Sequence, residues 1–135
     1  MGIVIDASVI VSLERRGALF DPAELGIEVE PVAITAMTAS ELLVGVHRAD
    51  TAQRRDEREF YLETMFQRFQ ILPFDLSVAR VHARIWSHLW AIGTPIGDRD
   101  LIIGTTALAH GYSVLTENTR EFARIPDLQV LHPSW

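Results

Sequence analysis

The chain has 135 residues, 48% of them hydrophobic and 22% charged. These proportions fit one globular domain over 1–135 with a proper core and exclude a disordered chain. It has no cysteine, which excludes disulfides and thiolate metal sites, and its formal net charge of −6 argues against loose electrostatic adhesion to nucleic acid.

Gly2-Ile3-Val4-Ile5 reads as a short buried strand and residues 8–16 as a mostly apolar helix. Asp6 lies between them, with no lysine or arginine nearby before Arg15. A carboxylate left there without a partner carries a penalty of several kcal/mol or a raised pKa, so a partner is expected. Residues 17–31 are mixed, with turn signals at Asp21-Pro22 and Pro31. VAITAM (32–37) predicts a second strand and TASELLVGVHRA (38–49) a second helix, again strand, then acid, then helix. Residues 52–69 predict a long amphipathic helix. Its arginines, Arg54, Arg55, Arg58 and Arg68, with Arg48 before it, are interspersed with Asp56, Glu57, Glu59 and Glu63, which suits a solvated face better than a nucleic-acid patch. Phe60, Tyr61, Phe66 and Phe69 are expected in the core or on a partner surface.

QILPFD (70–75) is strand-like, and Asp75 is placed to cap the helix of residues 77–93, which ends at Gly93. After the loop TPIGD, residues 99–111 form an apolar helix stopped by Gly111. YSVLTEN (112–118) reads as a buried strand, TREFARI (119–125) as a helical turn and LQVLH (128–132) as a final strand. No segment approaches the length of an apolar membrane span, and no basic leader precedes an apolar stretch. The simplest expected address is the cytoplasm.

Alternating strands and helices predict an α/β fold with a mainly parallel sheet. In such sheets ligands sit beyond the carboxyl ends of the strands. Asp6, Glu41 and Asn118 fall there, while Asp100 lies in the first turn of the apolar helix. Each acid has a plain alternative: Asp6 as a helix cap, Glu41 in a capping box begun by Thr38, Asp98 as an N-cap, and Asp100 beside the positive helix end. Gathered at one sheet edge, however, carboxylates repel and raise one another's pKa unless a cation joins them. An oxygen-only site without histidine or cysteine at ligand spacing suits magnesium or manganese. The five histidines are scattered, and no phosphate-binding glycine motif is present. A phosphoacceptor receiver domain is excluded because the chain has no lysine, and a haloacid-dehalogenase-type phosphatase because Asp6 is followed by Ala7-Ser8.

Taken in order, IVIDASVIV, TASELLVGV, GTPIGDRDLIIGTTALAHG and SVLTENTREFARIPDLQVL resemble the successive motifs of a PIN domain, in particular the VapC-type toxins of bacterial toxin-antitoxin pairs. The resemblance implies a three-layer α/β/α fold, a Mg2+- or Mn2+-dependent endoribonuclease leaving 5′-phosphate and 3′-hydroxyl ends, a small VapB-like antitoxin and a homodimer. It carries the family's acids onto Asp6, Glu41 and Asp100 as metal-holding and catalytic residues, with Ser8, Asp98, Thr116 and Asn118 in support. Similar toxins pair, and grip the antitoxin, through the region of residues 52–69. Asn118 stands where many members have a fourth acid, with Glu117 and Glu121 nearby, and Gly104 stands where alanine is usual. The alternative is an inactive PIN-like module that only binds a partner protein or RNA.

Overall fold

The structure, a computed structural model, describes residues 2–22 and 31–135, so residues 23–30 of the mixed segment lie outside the described residues. In chain order the elements are β1 (Ile3–Ile5), α1 (Ala7–Arg15), β2 (Val32–Thr35), α2 (Ala36–His47), α3 (Ala52–Phe66), β3 (Gln70–Leu72), α4 (Leu76–Ile92), α5 (Asp98–His110), β4 (Ser113–Leu115), α6 (Thr119–Phe122) and β5 (Val130–Leu131).

The strands form one sheet in the order β3-β2-β1-β4-β5, with every neighbouring pair parallel. Strands so placed are covered on both faces, which is why they read as unbroken apolar runs. Their period of two divides the core. Ile3, Ile5, Ile34 and Leu115 pack with α1, α2 and α3, around Ile10, Leu42, Leu62 and Met65. Val4, Ala33 and Val114 pack on the opposite face with α4, α5 and α6, around Ile85, Leu101, Ile103 and Phe122. The three-layer α/β/α architecture follows directly from this alternation.

Beyond β1 the chain moves one way along the sheet, to β2 and then β3, whereas β4 and β5 lie on β1's other side. The order therefore reverses between β1 and β4, and a crevice opens beyond their carboxyl ends. Asp6 follows β1 at this point, and its backbone N–H donates to Leu115 O of β4 at 2.9 Å. Thr116 follows β4 there.

Two helix starts differ from the sequence reading. Thr35 is the N-cap of α2, its hydroxyl accepting from Thr38 N at 3.0 Å, so the helix begins at Ala36. Thr38 is thus an interior residue and Glu41 lies in the second turn, too far along to close a capping box. In α5 the N-cap is Gly97, and Asp98 is the first helical residue without a side-chain capping bond. Asp75 does cap α4, accepting from Val78 N at 3.0 Å. Gly93 and Gly111 end α4 and α5 in the left-handed conformation, φ 71° and 70°, which glycine adopts without steric penalty. Gly104 has a packing role: a Cβ there would lie 2.3 Å from Ile125 Cδ1.

The arginines near α3 serve the fold and its surface. Arg58 donates to Gly45 O at 2.7 Å, Arg68 to Phe20 O at 3.1 Å, and Arg54 pairs with Asp50. Of the aromatics expected in the core or on a partner surface, Phe69 is buried against Phe20, Phe66 packs against the same core and Tyr61 donates to Ala18 O at 2.7 Å; Phe60 is 77% exposed. The broader exposed apolar face belongs to α4 and the turn before it, where Phe74, Leu76, Trp86, Trp90 and Ile92 face solvent.

Candidate functional site

Asp6 occupies the N-cap position of α1, yet its side chain makes no capping bond. The carboxylate is buried, and its Oδ2 accepts from Ser8 Oγ at 2.9 Å and from Thr116 Oγ1 at 2.8 Å. Neither donor is charged, so both orient the anion without neutralising it. The two hydroxyls lie 3.4 Å apart. They are fixed in turn by the β4–α6 loop: Glu117 N donates to Ser8 Oγ at 3.1 Å and Asn118 N to Thr116 Oγ1 at 2.9 Å. The N-cap explanation of Asp6 is thereby replaced by an oriented, buried carboxylate facing the crevice.

Its charge acts on two more acids, Glu41 and Asp100, and a third, Glu121, acts on Asp100. α2 brings Glu41, whose pKa is raised by burial and then by the charges of Asp6 and Asp100; Arg99 opposes the shift. α5 brings Asp100, pushed up to about 6 by burial, then by Asp6 and Glu121, against the Asn118 hydrogen bond and Arg99. Asn118 Nδ2 donates to Asp100 Oδ2 at 3.2 Å. Glu121, on α6, is one of the two acids near Asn118 between which the sequence does not choose. Its Oε2 is buried without a hydrogen-bond partner, as is Glu41 Oε1, while Glu121 Oε1 faces Arg124 at 3.6 Å.

Glu117, the other acid near Asn118, is held elsewhere. Ser12 Oγ donates to its Oε1 at 2.6 Å and Trp135 Nε1 to its Oε2 at 3.0 Å. These bonds keep its pKa below the usual carboxylate range, the Ser12 bond being the larger cause. Asp98 lines the mouth of a cleft of about 430 Å³ with Glu41, Gly97, Arg99 and Asp100, and its charge is felt at His82 of α4. Asp6, Glu41 and Asp100 are thus brought together, Ser8, Thr116 and Asn118 bond directly to them or to one another, and Asp98 stays at the rim.

Two buried carboxylate oxygens without donors, beside an acid whose pKa is raised by burial and then by neighbouring charges, suit a hard cation. Among the described residues no three side chains of aspartate, glutamate or histidine are grouped so that together they could hold a metal ion. Magnesium does not demand such a group, since it is usually held by one or two carboxylates together with water and substrate phosphate. Glu41 also lines a second groove, of about 410 Å³, between α1, α2 and α3, whose walls include Ile10, Val11, Leu42 and Arg58.

A parallel sheet with this strand order and oxygen-rich crevice has a clear relationship. The sequence matches the PIN domain family over residues 3–128, and the chain belongs to that family. Within it the similarity is to VapC proteins: Ribonuclease VapC of Rickettsia bellii is 35% identical over 134 residues, 97% of this chain and 96% of that one. The same fold occurs in VapBC2 of Rickettsia felis bound to a DNA fragment from its promoter, with a TM-score of 0.85, 24% identity and 98% of each chain covered. It also occurs in VapBC-5 of Mycobacterium tuberculosis, a member of the VapBC family of toxin-antitoxin systems. There the TM-score is 0.77 at 30% identity, over 97% of this chain and 98% of that one.

Proposed function

We propose that this protein is a Mg2+- or Mn2+-dependent endoribonuclease acting as the toxin of a toxin-antitoxin pair. What supports this reading is that Asp6, Glu41 and Asp100 act on one another electrostatically and Glu121 acts on Asp100, with Glu41 Oε1 and Glu121 Oε2 buried and unpartnered. The similarity to Ribonuclease VapC supplies the substrate class.

Asp6 and Asp100 would hold the ion, with Glu41 bound directly or through water and Glu121 extending the donor set in place of an acid at position 118. When bound, the metal supplies an activated water and neutralises charge on the scissile phosphate. Ser8 and Thr116 fix Asp6 in one orientation, and the Asn118 amide does the same for Asp100, so that both carboxylates meet the ion ready-oriented. Burial of Glu41 and Asp100 limits competing water and strengthens their hold on a cation. Arg99, exposed beside Glu41 and Asp100, gives an otherwise acidic cleft a positive group for the RNA backbone. The cytoplasmic address expected from the sequence suits this reading, since RNA and a partner antitoxin are available there.

A VapB-like antitoxin would block the site from the groove between α1, α2 and α3, which leads to Glu41. The VapBC complexes that share the fold support such a partner. A second copy of the chain would cover the exposed apolar face of α4. The toxin role is tested by inducing the protein without a partner: growth arrest that Asp6→Asn relieves supports it, and normal growth with abundant soluble wild-type protein contradicts it.

A further inference from the structure

Glu117 stands among the active-site motif residues but points out of the acid cluster. We propose that it is a positioning residue, clamped by Ser12 and Trp135 so that the loop of residues 116–118 holds Asp6 and Asp100 in a fixed relation. The proposal rests on the metal-centred reading above and assigns to the loop what that reading leaves open.

The three loop residues reach both carboxylates. Thr116 Oγ1 donates to Asp6 Oδ2 at 2.8 Å, and Asn118 Nδ2 donates to Asp100 Oδ2 at 3.2 Å. Between them, Glu117 N donates to Ser8 Oγ at 3.1 Å, and Ser8 Oγ donates in turn to Asp6 Oδ2 at 2.9 Å. Wherever the loop sits, the donors to both acids sit with it.

Among the described residues, the side-chain bonds that tie this loop to the protein outside the cluster are those of Glu117. Ser12 lies one helical turn beyond Ser8, on the same face of α1. The loop is therefore fastened to α1 at two successive points, by the Glu117 backbone at Ser8 and by the Glu117 carboxylate at Ser12, the latter at a charge-assisted 2.6 Å. The second carboxylate oxygen takes Trp135 Nε1 at 3.0 Å. Trp135 is itself held: its ring packs against the core beneath α1 and carries the Arg16 guanidinium 4.1 Å from its centroid. The chain of contacts thus runs from Arg16 and Trp135 through Glu117 and Ser8 to Asp6. Releasing the clamp leaves the loop held by the backbone bonds from Thr116 N to Leu131 O and from Glu117 N to Ser8 Oγ, so the frame shared by the two acids loosens without either acid losing an atom of its own.

The experiment measures Mn2+ affinity by electron paramagnetic resonance on purified, partner-free protein, for wild type, E117A, E117Q and W135F, with the thermal midpoint of each. E117A is expected to weaken Mn2+ binding about 10-fold, as loss of a partner behind a metal ligand commonly does. E117Q, which keeps one acceptor oxygen, restores part of the affinity. W135F keeps a smaller aromatic ring near Arg16 and loses the N–H with the five-membered ring of the indole, so it remains folded even where E117A does not, and a smaller loss of affinity is expected. At saturating Mn2+, RNA cleavage by W135F should recover toward wild type with KM for RNA unchanged. Variants that lower the thermal midpoint yet bind Mn2+ as wild type does overturn the proposal and leave Glu117 a stability contact. Wild-type protein that binds no Mn2+ overturns the metal-centred reading itself, and this proposal with it.

Discussion

Replacing Asp100 with asparagine should make the metal-free protein more stable at neutral pH, although the residue is proposed to serve the reaction. The Asp100 pKa rises from an ordinary 3.8 to about 6 because burial and the charges of Asp6 and Glu121 oppose its ionisation. A carboxylate with a raised folded-state pKa favours the folded state when protonated. Its contribution is therefore full below about pH 4 and is lost as pH rises through about 6. The shift alone corresponds to about 3 kcal/mol at 1.36 kcal/mol per pKa unit. Asp100 is only partly buried, so solvent screening reduces this to about 1 kcal/mol. Asp100→Asn removes the charge and leaves an amide oxygen to accept from Asn118. In EDTA at pH 7.5 its thermal midpoint should exceed that of wild type by about 3–5 °C, and at pH 4 the two should coincide. Added Mg2+ should then stabilise wild type and leave the variant unchanged, reversing the order at high metal. Thermal unfolding followed by circular dichroism at both pH values checks this. A variant less stable than wild type at pH 7.5 in EDTA, or a difference that does not vary with pH, refutes the electrostatic reasoning.

Other expectations follow from the same geometry. Glu121→Gln should lower metal-dependent RNA cleavage by about 10- to 100-fold while leaving the thermal midpoint at or above that of wild type, because its unpartnered buried oxygen opposes folding and its long, part-exposed pair with Arg124 adds little; initial-rate and unfolding measurements on the same preparation test both halves. Gly104→Ala should destabilise by about 1 kcal/mol despite alanine's better helix propensity, because Ile125 already fills the space, and urea unfolding reads the difference. Trp90→Glu should convert any dimer to monomer in size-exclusion chromatography with light scattering without altering the circular dichroism spectrum, since its side chain lies on the exposed face of α4 and outside the core.

The fold was readable because the strand-helix alternation is strong and the strands are apolar throughout. The placing of Asp6 and Asp100 was legible for a related reason: one follows a buried strand and the other opens an apolar helix, positions that a parallel sheet brings to one edge. Glu41 was harder. Its capping-box explanation fits the local sequence well and fails because Thr35 starts α2 earlier, a choice made by a single hydroxyl-to-amide bond. Asp98 was misplaced for the same kind of reason, with Gly97 taking the cap position. Glu121 and Glu117 could not be told apart from sequence. They lie four residues apart across a four-residue helix, and only the packing of α6 and the location of Trp135 send one toward Asp100 and the other toward α1. The exposed apolar surface on α4 was missed because Trp86 and Trp90 share the periodicity of core positions, whereas the aromatics of α3 that looked available are mostly in use.

The most direct measurement is cleavage of a total cellular RNA pool by purified protein freed of any partner, with Mg2+, Mn2+ or EDTA, and with folded Asp6→Asn alongside. The account predicts discrete RNA fragments that require the metal and disappear with EDTA and in the variant. Intact RNA with folded, metal-supplied wild-type protein, or equal cleavage by wild type and Asp6→Asn, contradicts it; intact RNA together with retained partner binding identifies the chain as an inactive PIN-like binding module.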